Sequence, residues 1–177
     1  MRHGETDWNR QHIYMGQTDI PLNKTGEDQS FSAATLLENE DIKHIVTSPL
    51  VRAQKTAEII NKKLDVPITI LDRLKECSFG NSEGQAHDDG VLIQKWMDGE
   101  HPDGGESIME FEKRVMDGVN EALKINENVL IVSHGGVYAC LSRLMKWPII
   151  NLKNCETIFH RPPSNPSHPW LICQLQK

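Results

Sequence analysis

Two histidines, each followed by a glycine, are the residues of this chain most typical of a reactive site. Arg2, His3 and Gly4 are consecutive, so a nucleophilic imidazole lies beside a permanent cation, and the glycine leaves room for a tetrahedral anion. This arrangement predicts a site that handles phosphate. On its own the tripeptide is weak support, because short motifs recur by chance and a terminal histidine is usually solvated. His134 and Gly135 repeat the His-Gly pattern directly after an apolar run.

Arg52 and Glu76 offer the further cation and the carboxylate that such a reaction needs. Arg52 falls in the first turn of a predicted helix, where a cation opposes the helix macrodipole and so indicates an anion nearby. A surface ion pair is the alternative for this arginine. Glu76 lies in the polar connection between Arg52 and His134, and Glu83 in the same connection fits the acid role equally well by composition.

The segment after the first histidine is predicted to be a structured loop around the site. Residues 4–21 have no periodic apolar pattern and contain several glycine and proline residues. Asn9 could turn an amide donor towards a phosphate, although a solvated loop is the alternative. Gly16 and Gln17 are candidate positions for substrate specificity, and they carry no recognisable code for one substrate.

Hydrophobic patterning predicts the elements that position these residues. Residues 42–47, 67–71 and 128–133 are short apolar or alternating runs, and each is predicted to be a strand. Predicted helices cover residues 22–39, 49–64, 91–99, 107–124 and about 136–145. Arg52 and His134 both follow strands, and ligands of open α/β sheets bind at the carboxyl ends of the strands.

Capping residues and prolines predict where several elements end. Thr25 is a plausible cap for the first helix, and Ser107 begins a capping box with a glutamate three residues on. The tail offers two strands, at 156–160 and 169–175, separated by a proline-rich turn at 162–166. The chain has no internal repeat and no linker, so residues 1–177 are predicted to form one domain.

Composition and charge exclude several classes of protein. The 38% hydrophobic and 25% charged content of the 177 residues is that of a soluble globular protein. A formal net charge of −6 argues against a nucleic-acid partner, and it requires a local cluster of arginines and histidines to attract an anionic substrate. No apolar run is long enough for a membrane span and no signal peptide is recognisable, so a cytoplasmic location is expected.

Cysteines and histidines give no support to a metal site or a disulfide framework. The four cysteines are scattered singly, which favours reduced thiols in a cytosolic protein. His101, His160 and His168 have no carboxylate or thiol at ligand spacing on a shared face. We therefore expect no metal and no cofactor.

Taken together, the motifs of this chain resemble those of the histidine phosphatase superfamily, also called the phosphoglycerate mutase-like superfamily. The motifs concerned are Arg2-His3-Gly4-Glu5-Thr6, Trp8-Asn9, Ser48-Pro49-Leu50-Val51-Arg52-Ala53, Leu74-Lys75-Glu76, Gly105-Glu106-Ser107, Phe111 before Arg114-Val115, and Ser133-His134-Gly135-Gly136. The resemblance implies a three-layer α/β/α fold with a mostly parallel central sheet. Members of the family have an apolar strand immediately before Arg-His-Gly, so this first strand is expected to be missing, with Met1 as its last residue.

The resemblance also implies a role for each site residue. His3 would attack phosphorus, Arg2 and Arg52 would hold the phosphoryl oxygens, and His134 would complete that shell. The family pattern selects Glu76 over Glu83 as the group that protonates the leaving oxygen and then activates water. The residues expected to contact substrate are Asn9, Gly16, Gln17 and Gly135.

Three functions remain open at this point. Mutases of the superfamily carry a longer insertion between the acid and the second histidine, so the modest segment from Glu76 to His134 favours a phosphatase. Phosphoglycerate mutase-type transfer is the first alternative. A phosphate-binding homologue without turnover is the second, if the first strand is absent. The substrate is expected to be a small phosphorylated molecule, such as a sugar phosphate or a nucleotide, and the protein a monomer or homodimer.

Overall fold

The central sheet of the computed structural model, which describes residues 1–148, 150–163, 165 and 170–174, has three parallel strands. They are β1 (His44–Thr47), β2 (Ile68–Ile70) and β3 (Val129–Val132), in the order β2-β1-β3. In the register of the sheet, Ile45 of β1 lies opposite Ile68 of β2 and Leu130 of β3. A parallel central sheet flanked by helices confirms the predicted fold class.

Six helices accompany the sheet within the described residues. They are α1 (Asp7–Arg10), α2 (Lys24–Leu37), α3 (Val51–Leu64), α4 (Val91–Met97), α5 (Ile108–Leu123) and α6 (Gly135–Leu144). Short 3-10 turns occur at Asp72–Leu74 and Gly80–Ser82. The predicted capping box of α5 is confirmed, since Ser107 and Glu110 each bond to the backbone of the other.

Two local predictions were wrong. The N-cap of α2 is Asn23 and not Thr25, because the Asn23 side chain accepts the Gly26 N–H while Thr25 already lies within the helix. Residues 4–21 are not wholly loop, because α1 forms there. Thr6 and Asn9 form a capping box around α1, and a helix of only four residues has no apolar period to reveal it.

Alternate residues of the strands face two different helical layers. Ile45, Leu130 and Val132 pack with apolar residues of α2 and α3. Val46 packs on the other face of the sheet, in a cluster that includes Ala122 of α5. This period of two is the pleat of a β-sheet, and it gives the α/β/α layering that the sequence predicted.

The first three residues are hydrogen bonded on both sides. Met1 and His3 bond to Ser133 at the end of β3, and Arg2 forms a parallel bridge with the same residue. On the other side, the Arg2 amide donates to the Glu156 carbonyl at 3.3 Å and the Arg2 carbonyl accepts from the Cys155 amide at 3.0 Å. His3 and Arg2 are therefore anchored through their backbone. The expectation that Met1 ends a longer strand stays a prediction.

The described tail contains the two strands that the sequence predicted, β4 (Ile158–Arg161) and β5 (Leu171–Gln174), paired antiparallel. Residues 164, 166–169 and 175–177 lie outside the described residues, so the proline-rich turn and His168 fall wholly or partly there. Among the helices described, none has the length and apolar character needed to cross a bilayer.

Candidate active site

Three chain segments bring the predicted residues together at the carboxyl edge of the parallel sheet. The first segment is the anchored N-terminus with His3, the second follows β1 and carries Arg52 in the first turn of α3, and the third follows β3. On that third segment His134 is the N-cap of α6. His3, Arg52 and His134 are only 3%, 1% and 1% exposed. Burying two imidazoles and a guanidinium side by side is costly unless an anion compensates them.

His3 is held in one tautomer. Its Nδ1 lies 2.7 Å from the Gly4 carbonyl oxygen, and a carbonyl only accepts, so Nδ1 carries the hydrogen and Nε2 keeps its lone pair. Burial, followed by the charges of Arg52 and Arg2, lowers the pKa of His3 well below 6.5. The neutral, nucleophilic form of this imidazole therefore predominates at neutral pH.

His134 lies directly across from His3, with 5.2 Å between the ring centroids. Its Nε2 is 2.8 Å from Ser48 Oγ, and its buried Nδ1 has no hydrogen-bond partner in the described part of the chain. Burial, then the charges of Arg52, His3 and Arg2, lowers the pKa of His134. Ser48 thus fixes the ring, and one ring nitrogen is left for a ligand.

Both arginines use their terminal nitrogens inside the protein. Arg52 donates from Nη1 to the Thr18 carbonyl at 2.9 Å and from Nη2 to the Gly16 carbonyl at 2.7 Å. Arg2 donates from Nη1 to the Leu152 carbonyl at 2.8 Å. The buried Nε atoms of both side chains have no partner among the described residues. Two guanidinium N–H groups and His134 are therefore available to a tetrahedral anion.

Both guanidinium groups remain charged at neutral pH. Burial lowers the pKa of Arg52 to about 10, against the attraction of Glu76, Asp19 and Glu83. Burial also lowers the pKa of Arg2, and Glu76 again opposes the shift. The site thus holds two permanent cations although the net charge of the chain is −6.

Glu76 lies half-buried at the N-terminus of α6. Its Oε2 accepts the Gly136 amide at 3.0 Å, and its Oε1 accepts the Cys77 amide at 3.1 Å. Gly136 leaves space for this carboxylate, because a Cβ at that position would be 2.3 Å from Glu76 Oε1. The N-terminus of α6 therefore fixes the Glu76 carboxyl group, and this group is close enough to Arg2 to act on its pKa.

Arg114 positions the segment that carries Glu76. Its Nε and Nη2 bond to the two carboxylate oxygens of Glu106 at 2.8 and 2.7 Å. Its remaining N–H groups donate to the carbonyls of Arg73, Lys75 and Glu76 at 2.9, 3.0 and 3.1 Å. These contacts account for the five donors of a guanidinium, and only an arginine can make them.

Glu83 is engaged in a different task. Its carboxylate accepts the amides of Gln17 at 3.0 Å, Thr18 at 2.8 Å and Phe79 at 3.0 Å, as well as the Thr18 hydroxyl at 2.5 Å. Glu83 therefore fixes the conformation of the loop whose Gly16 and Thr18 carbonyls accept hydrogen bonds from Arg52. A carboxylate with four donors is poorly placed to exchange protons with a ligand.

The residues expected to contact substrate differ in which of their polar atoms are not already hydrogen bonded within the protein. Asn9 Oδ1 accepts the Thr6 amide at 3.2 Å and Asn154 Nδ2 at 3.3 Å, so its own amide nitrogen is the part left for a ligand. Gln17 donates to the Glu76 carbonyl at 3.1 Å, and the Gly16 carbonyl binds Arg52. Gly135 lies beside Arg2 Nε. Their substrate contacts stay predictions.

Sequence reasoning missed four residues that build this site. Ser48, Glu106, Arg114 and Gly136 are all present in the recognised motifs, but their partners lie far away along the chain. Only their position within those motifs could have drawn attention to them. Within the described ranges, no group of three or more His, Cys, Asp or Glu side chains could hold a metal ion.

The fold and the site define an α/β protein with a candidate phosphoryl-binding centre at the carboxyl ends of parallel strands. Residues 1–160 match the histidine phosphatase superfamily (branch 1), and the chain belongs to this family. The family predicted from the motifs is therefore confirmed.

Relatives of this chain include phosphatases and phosphoglycerate mutase-like proteins. It is 42% identical over 148 residues to the uncharacterized phosphatase PhoE of Bacillus subtilis, covering 81% of this chain and 75% of that protein. The chain is 34% identical over 173 residues to a probable phosphoglycerate mutase, GpmB, of Salmonella arizonae, and the match covers 88% of this chain and 80% of that protein. A mycobacterial glucosyl-3-phosphoglycerate phosphatase solved with VO3 superposes with a TM-score of 0.79 at 26% identity, covering 97% of this chain and 94% of that one.

Proposed function

We propose that this protein hydrolyses small phosphomonoesters through a phosphohistidine formed on His3. One observation carries the proposal. His3 is a buried neutral imidazole whose Nε2 is free of the Gly4 bond, and it lies among three buried side-chain nitrogens without partners in the described chain, Arg2 Nε, Arg52 Nε and His134 Nδ1. Buried cationic donors without partners are the arrangement that a phosphoryl group would satisfy.

The first half of the reaction transfers the phosphoryl group to the enzyme. The lone pair of His3 Nε2 attacks phosphorus while the bond from phosphorus to the ester oxygen breaks. The carboxyl group of Glu76 gives its proton to that leaving oxygen, so an alcohol departs. Arg2 and Arg52 hold the equatorial oxygens in line and stabilise the charge that spreads over them.

The second half returns the enzyme to its starting state. The Glu76 carboxylate takes a proton from water, the hydroxide attacks phosphorus, and the bond from phosphorus to His3 Nε2 breaks. Inorganic phosphate leaves and Glu76 is again protonated. In this scheme the two arginines provide the positive charge and His134 contributes a neutral ring nitrogen, so no metal ion is required and a chelator leaves activity unchanged.

Trapping the intermediate tests the proposal. The protein is mixed with a ³²P-labelled phosphomonoester and quenched rapidly in alkali. A parallel sample is quenched in acid, where a phosphohistidine is expected to be lost. We expect a base-stable, acid-labile label on the peptide that contains His3. His3→Asn abolishes the label, whereas His101→Asn, a substitution of an exposed histidine, keeps it. Label on another residue, or none during turnover, contradicts the proposal.

A mutase is the second candidate, and the 34% identity to a probable phosphoglycerate mutase is the observation that favours it. The two functions differ in what discharges the labelled His3. A phosphatase releases inorganic phosphate in water alone, at the rate of turnover. A mutase holds the label until phosphoglycerate arrives, since its closed site keeps water away. A phosphate-binding homologue would bind phosphate and form no label.

The remaining features of the proposal concern setting and substrate. We propose a small phosphorylated substrate, no nucleic-acid or membrane partner, and a monomer or homodimer. A cytoplasmic location is supported by Cys77 and Cys140, which are buried free thiols. Burial raises the pKa of the Cys140 thiol to about 12, which keeps this thiol protonated and inert.

A further inference from the structure

Arg2 and Asn9 of the proposed phosphoryl site also line a neighbouring cleft, and this cleft contains two histidines, His12 and His87. It has a volume of about 1180 Å³, enough for a substrate several times larger than phosphate. Neither histidine takes part in the proposed reaction. Both line the same cleft as Arg2, and the charge of Arg2 acts on His87, so a group attached to the phosphate could reach them from the phosphoryl site.

Backbone pairing sets these two histidines opposite each other. Ile13 and Ala86 form an antiparallel bridge, and the next pair outward is His12 and His87. The His87 amide donates to the His12 carbonyl at 2.8 Å. The ring centroids are 6.2 Å apart, with the rings edge to face. Directly opposed side chains of an antiparallel pair share one face, so one ligand could contact both imidazoles.

The charges around the pair favour an anion there. Two protonated imidazoles directly opposite each other repel, and an anion bound to both removes that repulsion. Burial, then His12, then Arg2 lowers the pKa of His87, whereas Asp88 opposes the shift. The Asp88 carboxylate is itself occupied by the Tyr14 hydroxyl at 2.7 Å.

The acids that line the cleft are already engaged by other groups. Lys153 also lines the cleft, together with the acids Asp28 and Glu156. Asp28 is paired with Lys24 at 2.8 Å. The Glu156 carboxylate accepts the Lys153 amide at 2.7 Å and a hydrogen bond from Gln174. Both acids therefore have donors of their own.

We propose that His12 and His87 form a second anion-binding site, which selects phosphomonoesters that carry another negative group, such as a carboxylate, on the leaving alcohol. This inference rests on the proposed hydrolase function, whose leaving group it describes. An anion binds the protonated form of an imidazole better than the neutral form, so preference for an anionic leaving group should increase as the pH falls from 8 to 6.

Two pairs of isosteric substrates test the inference. The 3- and 4-carboxyphenyl phosphates differ from the corresponding carbamoylphenyl phosphates by one negative charge and almost nothing in shape. For at least one isomer, we expect the kcat/KM ratio of carboxylate to carboxamide to rise by about tenfold between pH 8 and pH 6, the effect of one or two charge-assisted hydrogen bonds. A ratio that is the same at both pH values for both isomers overturns the inference.

Variants assign the effect to the pair. His12→Asn suits the left-handed backbone at His12, where φ is 53°, and His87→Gln keeps a polar side chain. Each substitution should abolish most of the pH-dependent preference, while His101→Gln, an exposed histidine outside the cleft, should leave it intact. Preference that survives in both cleft variants contradicts the inference.

Failure of the hydrolase proposal can be told apart from failure of this one. The His3→Asn variant cannot form an adduct, so binding can be measured without turnover. Calorimetry then gives the dissociation constants of the carboxylate and carboxamide substrates at each pH, and their ratio replaces the kcat/KM ratio. A pH-dependent carboxylate preference in binding supports the second site even if no ester is hydrolysed. If the cleft variants do not fold, the pH dependence of the unsubstituted protein still decides.

Discussion

Gly136→Ala is the substitution whose effect follows most directly from the geometry of the site. A Cβ at this position would be 2.3 Å from Glu76 Oε1, whereas ordinary contacts begin at 3.4 Å. The carboxyl group must therefore move by roughly 1 Å, and a displacement of that size costs on the order of a hundredfold in rate. This corresponds to about 2.7 kcal/mol of barrier. We expect kcat to fall by about that factor.

The same substitution should change stability little. The obstructing atom is the end of a flexible side chain, so Glu76 can move without disturbing α6. In a helix, alanine raises the free energy of unfolding by roughly 0.5–1 kcal/mol relative to glycine. Loss of the hydrogen bond from the Gly136 amide to Glu76 lowers it by about as much. Thermal unfolding should therefore shift by no more than a few degrees.

Steady-state kinetics on an aryl phosphate and thermal unfolding are measured on the same preparations. Leu144→Ala is the control, because Leu144 is an exposed residue at the C-terminal end of the same helix, far along it from Glu76. In a Glu76→Gln background, Gly136→Ala should have little further effect on kcat, since both changes act through one side chain. Activity of Gly136→Ala within threefold of the parent, or full additivity with Glu76→Gln, would refute the role given to this carboxyl group.

Three further predictions concern the groups around the site. Glu76→Gln should lower kcat far more than it raises KM. Glu83→Gln should mainly weaken phosphate binding, because it loosens the loop whose carbonyls bind Arg52. The reverse pattern would identify Glu83 as the acid. Arg114→Lys should lower the free energy of unfolding by about 2–3 kcal/mol in urea titrations. Arg73→Lys, which alters an exposed ion pair, should cost less than about 1 kcal/mol, and equal losses would show that the partly buried contacts of Arg114 are unimportant for stability. Because the pKa of His134 is lowered below 6.5, the stability linked to its neutral form is complete above pH 6.5 and is lost as the pH falls further. The melting temperature should therefore fall less between pH 7 and pH 5 in His134→Asn than in the parent protein, and parallel curves would contradict this.

Local patterns were enough to predict the family, the parallel sheet and the residues that meet at its edge. Apolar runs followed by Arg52 and His134 placed both residues at strand ends, and the carboxyl ends of parallel strands share one edge. Such inferences succeed because strand and helix periods are properties of a few consecutive residues.

Tertiary structure alone decided which groups are free and which are occupied. Composition could not separate Glu76 from Glu83, yet four donors surround the Glu83 carboxylate, and the Glu76 carboxylate lies at the start of α6. Likewise, no local pattern pairs His12 with His87, because their contact depends on a two-stranded bridge between distant segments. Hydrogen-bond saturation and burial are set by residues far apart in the chain, so they emerge only when the fold brings those residues together.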